Sequence, residues 1–499
     1  MTEVHTNRQE ESIMKTTFRF IIAAMAAIAV FSSCQKELAN ETANKTADGV
    51  RTISVQFDNS TKATLDGFAP KFANGDAIRV SNTEKSEECT VSVDGSDNAT
   101  FTTTLSGALT AIYPSAAAVL NSGEADAPIA TSNNIKVPAS QDGTIAKAII
   151  AKAEIAVGST SATFTSQTAL FQITPPAGAT TFTITSLKPV VDGIARTGDA
   201  VAINTEGADD AAKRVINVTV PSDGTAYVAL KAGVNLTDLS FDAGGTYGMK
   251  GIPAKDIAAA EKTDATAANT KYTIGNTNWH PYVTVGGKKW ATMNIGATAS
   301  KGMPYCWGYF LAWGAVEPII SWFIDGTQIK FPVASTNPDA ERYTGGYTPG
   351  SAFANCNAPY YNSSSSSYDK YTETDGKTVL DLVDDAAYYW WGGSWRMPTK
   401  TEFDGLKSHI DSYNETDNGC YIGDSPDSEK FFLTGAGFFM GVSANIGYAG
   451  NYWTSSLNTS NSNRALSFDI AQGAGGFDNT LPDEARERSY GRTVRALSD

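Results

Sequence analysis

Short runs of alternating hydrophobic and polar residues dominate the chain between residues 52 and 275. An alternation with a period of two places the apolar side chains of a strand on one face. Threonine and valine are frequent in these runs, and turn sequences such as Asp-Gly and Pro-Ser separate them. Because a strand with one apolar face must bury that face against a second sheet, the pattern predicts β-sandwiches. The clearest runs are residues 53–57, 90–93, 162–165, 181–184, 215–220 and 226–230.

A low-complexity link at residues 255–271 precedes a change of composition, since all nine tryptophans lie at or after Trp279. The roughly 220 residues ahead of the link are more than one sandwich needs, and a polar stretch at residues 158–160 indicates a division into two. We therefore predict one sandwich at residues 51–157, a second at residues 158–275 and a separate aromatic domain at residues 276–499.

The aromatic domain is predicted to combine strands with helix. Gly286 and Gly287 fit the two-residue turn of a hairpin. Thr399 and Glu402 fit a capping box, in which each side chain satisfies a backbone donor of the first helical turn. The apolar residues that follow at helical spacing are Phe403, Leu406 and Ile410, which predicts one amphipathic helix. Strands are predicted again at residues 452–456, 465–469 and 491–495.

The start of the chain predicts secretion. Lys15 and Arg19 precede an apolar run at residues 20–31, which is too short to span a bilayer, and small residues precede Cys34. This pattern resembles a lipobox, whose cysteine receives a lipid and becomes the new N-terminus; the alternative is an ordinary signal peptide with a chance cysteine. We expect a protein anchored by lipid at Cys34 and exposed on the cell outer membrane. The segments are a signal peptide at residues 1–33, an overlong gene start at residues 1–13 within it, and a lipidated tether at residues 34–50.

Composition and charge narrow the class of protein. The chain has 41% hydrophobic and only 18% charged residues, which is typical of a folded protein. Its net charge of -15 repels phosphate and argues against nucleic acid as a partner. Beyond Cys34 the cysteines are widely spaced and form no C-x-x-C pair. Buried free thiols and a disulfide among Cys306, Cys356 and Cys420 both stay open.

The first half of the chain resembles the fimbrillin family, the pilus subunits of Bacteroidetes. After the lipobox and tether, the resemblance is carried by ISVQF at residues 53–57, TKATLDG at 61–67, GDAIRV at 75–80 and TALFQI at 168–173. It implies two transthyretin-like β-sandwiches and assembly with other pilus subunits by strand donation. It also implies that a trypsin-like protease cuts after the first strand, with Lys62 as the first candidate and Arg51 as the second. The alternative is that both are ordinary exposed basic residues.

The second half resembles the Fibrobacter succinogenes major paralogous domain, found on Bacteroidetes surface proteins. The matching sequences are VTVGGKKWATMNIGA from residue 283, YFLAWGAVEP from 309, DDAAYYWWGGSWRMPTKTEFDGL from 384, GNYWTSS from 450 and YGRTVRAL from 490. The resemblance implies a C-type-lectin-like α+β fold and no single activity. The fold class expected for the whole chain is mainly β, with two transthyretin-like β-sandwiches followed by an α+β C-type-lectin-like domain.

Sequence motifs for catalysis or metal binding are missing. The chain contains no H-E-x-x-H and no G-x-S-x-G sequence. Glu317 and Pro318 are followed by Ile319, which lacks the side-chain oxygen that the calcium-dependent sugar site of a lectin uses. Asp384 and Asp385 are interpreted as acids at a helix N-terminus. We therefore expect no enzyme, no cofactor and no metal site.

Exposed tryptophans are candidate contacts for sugars or proteins, because their rings offer rigid apolar area with a polar group. The candidates for ligand binding are Trp307, Trp322, Trp390 and Trp391. The tryptophans inside the family motifs are predicted to be core, and these are Trp290, Trp313, Trp395 and Trp453. Arg396, Arg492 and Arg495 either grip an acidic ligand or pair with Glu402 or Asp404 inside the fold.

These observations predict a cell-surface lipoprotein that acts as a fimbrial tip adhesin and binds a glycan or a host protein through its C-terminal domain. A tip position is expected because the second sandwich continues into a further domain, so a strand at that junction is tethered at both ends. One alternative is a surface lipoprotein that binds ligands or serves a structural role without polymerising. A more remote alternative is an enzyme of unknown type.

Overall fold

The structure is a computed structural model, and the part of the chain it describes is mainly β, as predicted. Cys34, Lys62, Trp322 and Cys356 lie outside the described residues. No helix within the described segments is long and apolar enough to cross a membrane. The described residues are 49–58, 70–131, 135–145, 148–191, 195–197, 200–202, 211–253, 271–301, 305–318, 323–325, 328–330, 359–362, 364–414, 418–440, 443–445, 449–473, 476–478 and 485–499.

The first unit is built on one sheet that folds around an apolar core. Its neighbouring strands follow the order β3-β2-β6-β8-β9-β1-β5-β4. The two ends of the sheet approach each other, since the Glu87 carboxylate on β3 accepts a hydrogen bond of 2.8 Å from the Thr104 N–H just after β5. The strands are β1 (Arg51–Phe57), β2 (Ala77–Ser81), β3 (Ser86–Thr90), β4 (Ser92–Val93), β5 (Ala99–Thr103), β6 (Leu109–Tyr113), β7 (Ser140–Gln141), β8 (Ala151–Ile155) and β9 (Ser161–Ser166), of which β7 joins the second unit.

The second unit contains two sheets that enclose one core. One sheet has the order β15-β10-β18, and the other has the order β17-β16-β11-β14-β7. The Gln141 side chain on β7 joins the two sheets, because its amide donates to Ala229 O and accepts from Ala229 N, each at 2.9 Å. The strands are β10 (Thr168–Ile173), β11 (Thr181–Ser186), β12 (Ala195–Thr197), β13 (Ala200–Ala202), β14 (Val215–Thr219), β15 (Ala226–Lys231), β16 (Leu239–Asp242), β17 (Met249–Gly251) and β18 (Lys271–Ile274).

β9 belongs to the sheet of the first unit, although the predicted limit at residue 157 assigned it to the second sandwich. β9 pairs in parallel with β1 and antiparallel with β8, so the sheet of the first unit continues to Ser166. The predicted limit at residue 157 rested on a polar turn, and that turn joins two strands of one sheet. A turn in the sequence marks the end of a strand but does not tell which sheet the next strand enters.

The C-terminal unit combines small sheets with short helices around an aromatic core. The sheets have the orders β19-β20-β35, β25-β26-β27, β29-β28-β34 and β30-β31-β32 with β33 beside β31, and β21-β22 and β23-β24 form hairpins. The elements are β19 (Tyr282–Val285), β20 (Lys288–Asn294), β21 (Phe323–Asp325), β22 (Gln328–Lys330), β23 (Tyr361–Asn362), β24 (Ser367–Tyr368), α1 (Ala386–Trp391), α2 (Lys400–Gly405), β25 (Ile410–Asn414), β26 (Gly419–Ile422), β27 (Phe431–Thr434), β28 (Phe438–Met440), β29 (Ser443–Asn445), β30 (Ala449–Leu457), β31 (Arg464–Gly473), β32 (Gly476–Asp478), β33 (Ala485–Glu487), β34 (Gly491–Arg492) and β35 (Arg495–Ser498). Short 3-10 turns lie at Ser115–Ala117, Ala211–Arg214, Leu236–Asp238, Leu382–Asp384 and Leu406–His409.

Two local predictions for the C-terminal unit are confirmed. Gly286 and Gly287 both have positive φ and join β19 to β20, as a two-residue hairpin turn requires. Thr399 and Glu402 form the capping box at the start of α2. The predicted tryptophan core is also confirmed, since all four side chains are at most 1% exposed: Trp290, Trp313, Trp395 and Trp453.

The predicted length of the amphipathic helix is wrong. α2 ends at Gly405, a 3-10 turn follows, and Ile410 begins β25. Phe403 and Leu406 are buried as the helical spacing requires, but Ile410 pairs with Ile422 of β26. Strand pairing satisfies the backbone of Ile410, and a glycine at position 405 weakens any continuation of the helix.

The second unit and the C-terminal unit are joined by close backbone packing. Met249 of β17 and His280 exchange two backbone hydrogen bonds of 3.0 Å. The His280 ring stacks on Trp391 of α1 with centroids 3.7 Å apart. Asp242 of β16 accepts hydrogen bonds from the Tyr282 hydroxyl at 3.0 Å and from Lys289 Nζ at 2.9 Å. We call this set of contacts the junction. It is formed by Asp242, Met249, His280, Tyr282, Lys289 and Trp391.

Candidate functional site

β1 occupies a slot between two other strands of the first unit. It pairs antiparallel with β5 and parallel with β9. Ile53, Val55 and Phe57 are buried, while the residues between them are exposed. Both edges and one face of β1 are therefore in use. Removal of β1 would leave unpaired backbone groups on β5 and β9 and an uncovered apolar floor, which is a surface that binds an extended peptide.

The end of this slot is an aromatic pocket filled by Phe57. Its ring stacks on Phe72 with centroids 4.3 Å apart and meets Tyr113 edge-on at 5.4 Å. Phe164 of β9 lies 6.2 Å away. Each such ring pair contributes about 0.5–1.5 kcal/mol beyond simple burial. The pocket is therefore shaped for an aromatic side chain.

Arg51 lies at the other end of β1, inside the paired strand. Its backbone is opposite Thr103 of β5. Its guanidinium donates from Nη1 to Gly107 O at 3.1 Å and from Nη2 to Ser159 O at 3.0 Å. A cut after Arg51 would leave residues 52–57 in the sheet, whereas a cut after Lys62 would sever the whole of β1 from the rest of the unit. Cleavage at either residue stays a prediction.

The three candidate tryptophans that the structure describes differ in their exposure. Trp391 is 7% exposed and is covered by His280, so its interpretation as a ligand contact is wrong: the ring is part of the junction. Burial lowers the pKa of His280 to about 3, with Lys250 adding to the effect, so the stacked imidazole is neutral. Trp390 and Trp307 are half-buried, and Trp322 lies outside the described residues.

Trp390 belongs to a half-exposed group of rings that we call the aromatic edge, formed by Tyr309, Tyr389 and Trp390. The rings of Tyr309 and Trp390 lie 4.8 Å apart, and Trp390 Nε1 donates to Val316 O at 2.7 Å. The Tyr389 hydroxyl donates to the Glu317 carboxylate at 3.0 Å. Half-exposed rings beside a carboxylate can stack on a sugar or pack against a protein.

The three candidate arginines have partners inside the fold. Arg396 donates to both oxygens of Glu402, at 2.8 and 2.6 Å. Arg492 donates to Asp469 at 2.5 Å, and both side chains are buried. Arg495 is fully buried and donates to a side-chain oxygen at 2.8 Å and to two backbone carbonyl oxygens. All three therefore have partners inside the fold, but only Arg396 has one of the two predicted acids as its partner, since Arg492 pairs with Asp469 and Arg495 with Asn294.

A buried polar cluster around Asp384 was missed by sequence reasoning. Asp384 is 1% exposed and accepts hydrogen bonds from the Tyr360 hydroxyl at 2.5 Å, the Tyr371 hydroxyl at 2.6 Å and Lys370 Nζ at 2.5 Å. Asp385 caps α1, as interpreted, by accepting from two backbone N–H groups of its first turn. Burial raises the pKa of Asp385 to about 6. The acidic pair gave a signal for the cap, but nothing in the sequence indicated the tyrosine and lysine partners.

Cys89 and Cys420 are buried free thiols, and Cys306 is buried with its Sγ 3.1 Å from Thr434 Oγ1. Burial raises the pKa of Cys89 and of Cys420 to about 12, so neither is a ready nucleophile. In the segments that the structure describes, no three histidine, cysteine or acidic side chains gather as metal ligands.

Comparison with known proteins finds solved structures that are fimbrial and adhesion proteins of Bacteroidetes, while no family model and no curated protein matches the chain. One is a Bacteroides uniformis protein assigned to cell adhesion, with 15% identity and a TM-score of 0.27, covering 47% of this chain and 96% of its own. A fimbrial protein from Bacteroides ovatus has 11% identity and a TM-score of 0.21, covering 91% of this chain and 100% of its own. A tip fimbrial protein from Porphyromonas gingivalis has 8% identity and a TM-score of 0.21, covering 45% of this chain and 93% of its own. At these TM-scores the similarity carries no argument about function.

Proposed function

We propose that this protein is a fimbrial tip subunit of the bacterial cell surface, anchored by lipid at Cys34 until a cut after Lys62 releases it for assembly. The observation that carries the proposal is the position of β1, which fills a slot between β5 and β9 and lies between the tether and Lys62. A cut after Lys62 separates β1 from the unit it completes. A strand of another pilus subunit then fills the slot.

The junction supports a position at the fibre tip. β18 ends at Ile274, and β19 of the C-terminal unit already begins at Tyr282. The intervening chain is held to β17 by the two backbone hydrogen bonds that His280 and Met249 exchange. A last strand fixed at both ends cannot leave to enter a neighbour's slot. The slot of the first unit is far from this constraint in the chain, so the subunit accepts a strand and donates none.

The aromatic edge is the proposed contact for a glycan or a host protein. It contains the candidate Trp390, which is partly exposed, and the neighbouring Tyr389 donates a hydrogen bond to the Glu317 carboxylate. Within the same proposal, the first two units are transthyretin-like sandwiches and the C-terminal unit is C-type-lectin-like. A lipoprotein that stays at the membrane and never polymerises is the second candidate, because the Cys34 lipid serves that role equally well.

N-terminal sequencing of protein shed with surface fimbriae tests processing. The wild type is expected to begin at Ala63, and Lys62→Ala is expected to keep its start at Cys34 and to vanish from the high-molecular-weight ladder on gels. Arg51→Ala is the matched control and is expected to mature like the wild type. A wild-type start at Cys34 in assembled fibres would refute the proposal.

A further inference from the structure

The slot of β1 has four recognition positions of three kinds along its length, and we infer that it selects the incoming strand by sequence. The required pattern is an arginine, two aliphatic residues and an aromatic residue at alternate positions, running parallel to β9. This inference rests on the proposed strand replacement and specifies the chemistry of the partner segment.

The arginine position is set by two carbonyl oxygens on opposite sides of the slot. Gly107 O belongs to the connection between β5 and β6, and Ser159 O belongs to the connection between β8 and β9. Arg51 reaches both with separate nitrogens, at 3.1 and 3.0 Å. A guanidinium carries donors on separate nitrogens in a fixed plane, whereas a lysine has one donor atom. The clamp therefore favours arginine and fixes the register of the strand.

The two middle positions accept aliphatic side chains of limited size. Ile53 lies opposite Phe101 and is fully buried. Val55 lies between Ala99 of β5 and Ala162 of β9 and is 6% exposed. We expect a side chain larger than valine to bind less well at this second position, because packed cores tolerate extra volume poorly.

The last position is the aromatic pocket of Phe57, described above. Because its walls are rings at 4.3, 5.4 and 6.2 Å, an alanine there leaves a cavity that the neighbours cannot fill. The positions between these contacts are exposed, and they are Thr52, Ser54 and Gln56. Gln56 Nε2 donates a long hydrogen bond of 3.4 Å to Thr163 Oγ1 of β9, so Ser54 is the better matched control.

The direction of the strand is also specified. β1 is parallel to β9 and antiparallel to β5, so an inverted strand would have to form the opposite type of hydrogen-bond ladder with each neighbour. It would also place the aromatic residue at the carbonyl clamp and the arginine in the aromatic pocket. The side-chain pattern and the backbone pairing therefore favour the same direction of the incoming strand.

A peptide-exchange experiment tests the inference on the full chain. A recognition sequence for a site-specific protease replaces residues 60–65, and the folded protein is cut there. Urea is then added at a concentration at which mass spectrometry shows that the native strand has been released. The probe is a fluorescent peptide of residues 50–58, VRTISVQFD. Fluorescence anisotropy then gives the affinity of this peptide and of its variants.

We expect the F57A peptide to bind at least about a hundredfold more weakly and the R51A peptide about tenfold more weakly. The R51K peptide should lie between R51A and the native sequence, and the S54A peptide should match the native sequence. A peptide of reversed sequence should not bind. Equal affinities for the R51A and S54A peptides would overturn the clamp, and equal affinities for F57A and S54A would overturn the pocket. No binding of the native peptide to the emptied slot would overturn the whole inference.

This experiment separates the inference from the proposed function. If the peptides follow the expected order while surface fimbriae carry protein that starts at Cys34, the selectivity of the slot stands and processing in the cell fails. If the surface protein starts at Ala63 but all peptides bind alike, the proposed processing stands and the sequence selection fails.

Discussion

Glu402 sits at the start of α2, where the Arg396 guanidinium donates to both of its oxygens. The Thr399 N–H adds a hydrogen bond of 2.8 Å, and Lys288 Nζ lies 3.2 Å away. Burial alone would raise the pKa of Glu402, but the hydrogen bonds and charge of Arg396, with the Thr399 donors, lower it to about 2. Arg396 also contacts Asp499 at 3.0 Å, so this arginine links Glu402 at the helix cap to the residue that follows β35.

This lowered pKa predicts an acid-sensitive contribution to stability. The group ionises near pH 2 in the folded protein and near pH 4.5 in the unfolded chain, so its stabilisation is complete above pH 4.5 and is lost as the pH falls toward 2. Glu402→Gln is expected to lower the free energy of unfolding by about 3 kcal/mol at pH 7 and by almost nothing at pH 2. Urea unfolding followed by tryptophan fluorescence measures this, since all nine tryptophans lie at or after Trp279.

Asp404→Asn is the matched control, on the same helix and paired with Lys400 and Lys407 at a more exposed position. Its difference from the wild type should stay below about 1 kcal/mol at every pH. A loss in Glu402→Gln that is as large at pH 2 as at pH 7 would show that the carboxylate is not the acid-sensitive group.

At the scale of elements, the edge strand β17 is packed against the turn after α1. A Cβ added to Gly251 would lie 2.1 Å from the carbonyl carbon of Gly392 and 2.3 Å from Gly393 N. A Cβ added to Gly393 would lie 2.5 Å from Ser240 Oγ. The two backbones therefore approach as closely as they do because both sides are glycine.

Gly251→Ala is expected to force β17 away from the C-terminal unit and to lower its stability by about 1–3 kcal/mol. Hydrogen–deuterium exchange should show at least tenfold faster exchange at the Met249 and His280 amides, which pair with each other across the junction. Gly275→Ala is the matched control, because an added Cβ there meets no atom within 4 Å. Unchanged protection in Gly251→Ala would contradict the packing argument.

Alternation of hydrophobic residues located many strands but not their partners. β1, β9, β11, β14 and β15 lie within about two residues of the runs that predicted them. Pairing of β1 with β9 joins residues more than 100 positions apart, and a local pattern has the same form whichever strand becomes its neighbour. The slot could therefore not be foreseen from residues 53–57, although their buried face could.

The role of a side chain could be predicted where its partners are near in the sequence, and could not where they are distant. The capping box depends on residues three positions apart, so the sequence was sufficient to predict it. The burial of Trp391 depends on His280, more than 100 residues earlier, and no local signal marks that contact. The clamp of Arg51 likewise depends on two backbone oxygens, which carry no sequence signature.

For the whole molecule, successive hydrophobic cores carry the two proposed sites in order along the chain. The first core encloses β1 and its slot, the second is the body that the C-terminal unit packs against, and the aromatic cores after it carry the aromatic edge. The proposed strand-accepting slot and the proposed ligand contact therefore lie in different units, with the junction between the second and the third. We expect this separation in a subunit that uses one unit to join a fibre and another to bind a ligand.

Immunogold electron microscopy with an antibody to residues 276–499 tests this account most directly. We predict gold particles at the free ends of surface fimbriae, one cluster per fibre, and loss of this label when Lys62→Ala replaces the wild type. Label spaced along the whole length of the fibres would show that the subunit donates a strand and would contradict the tip position. Label confined to the cell body would contradict assembly itself and favour a lipoprotein that stays at the membrane.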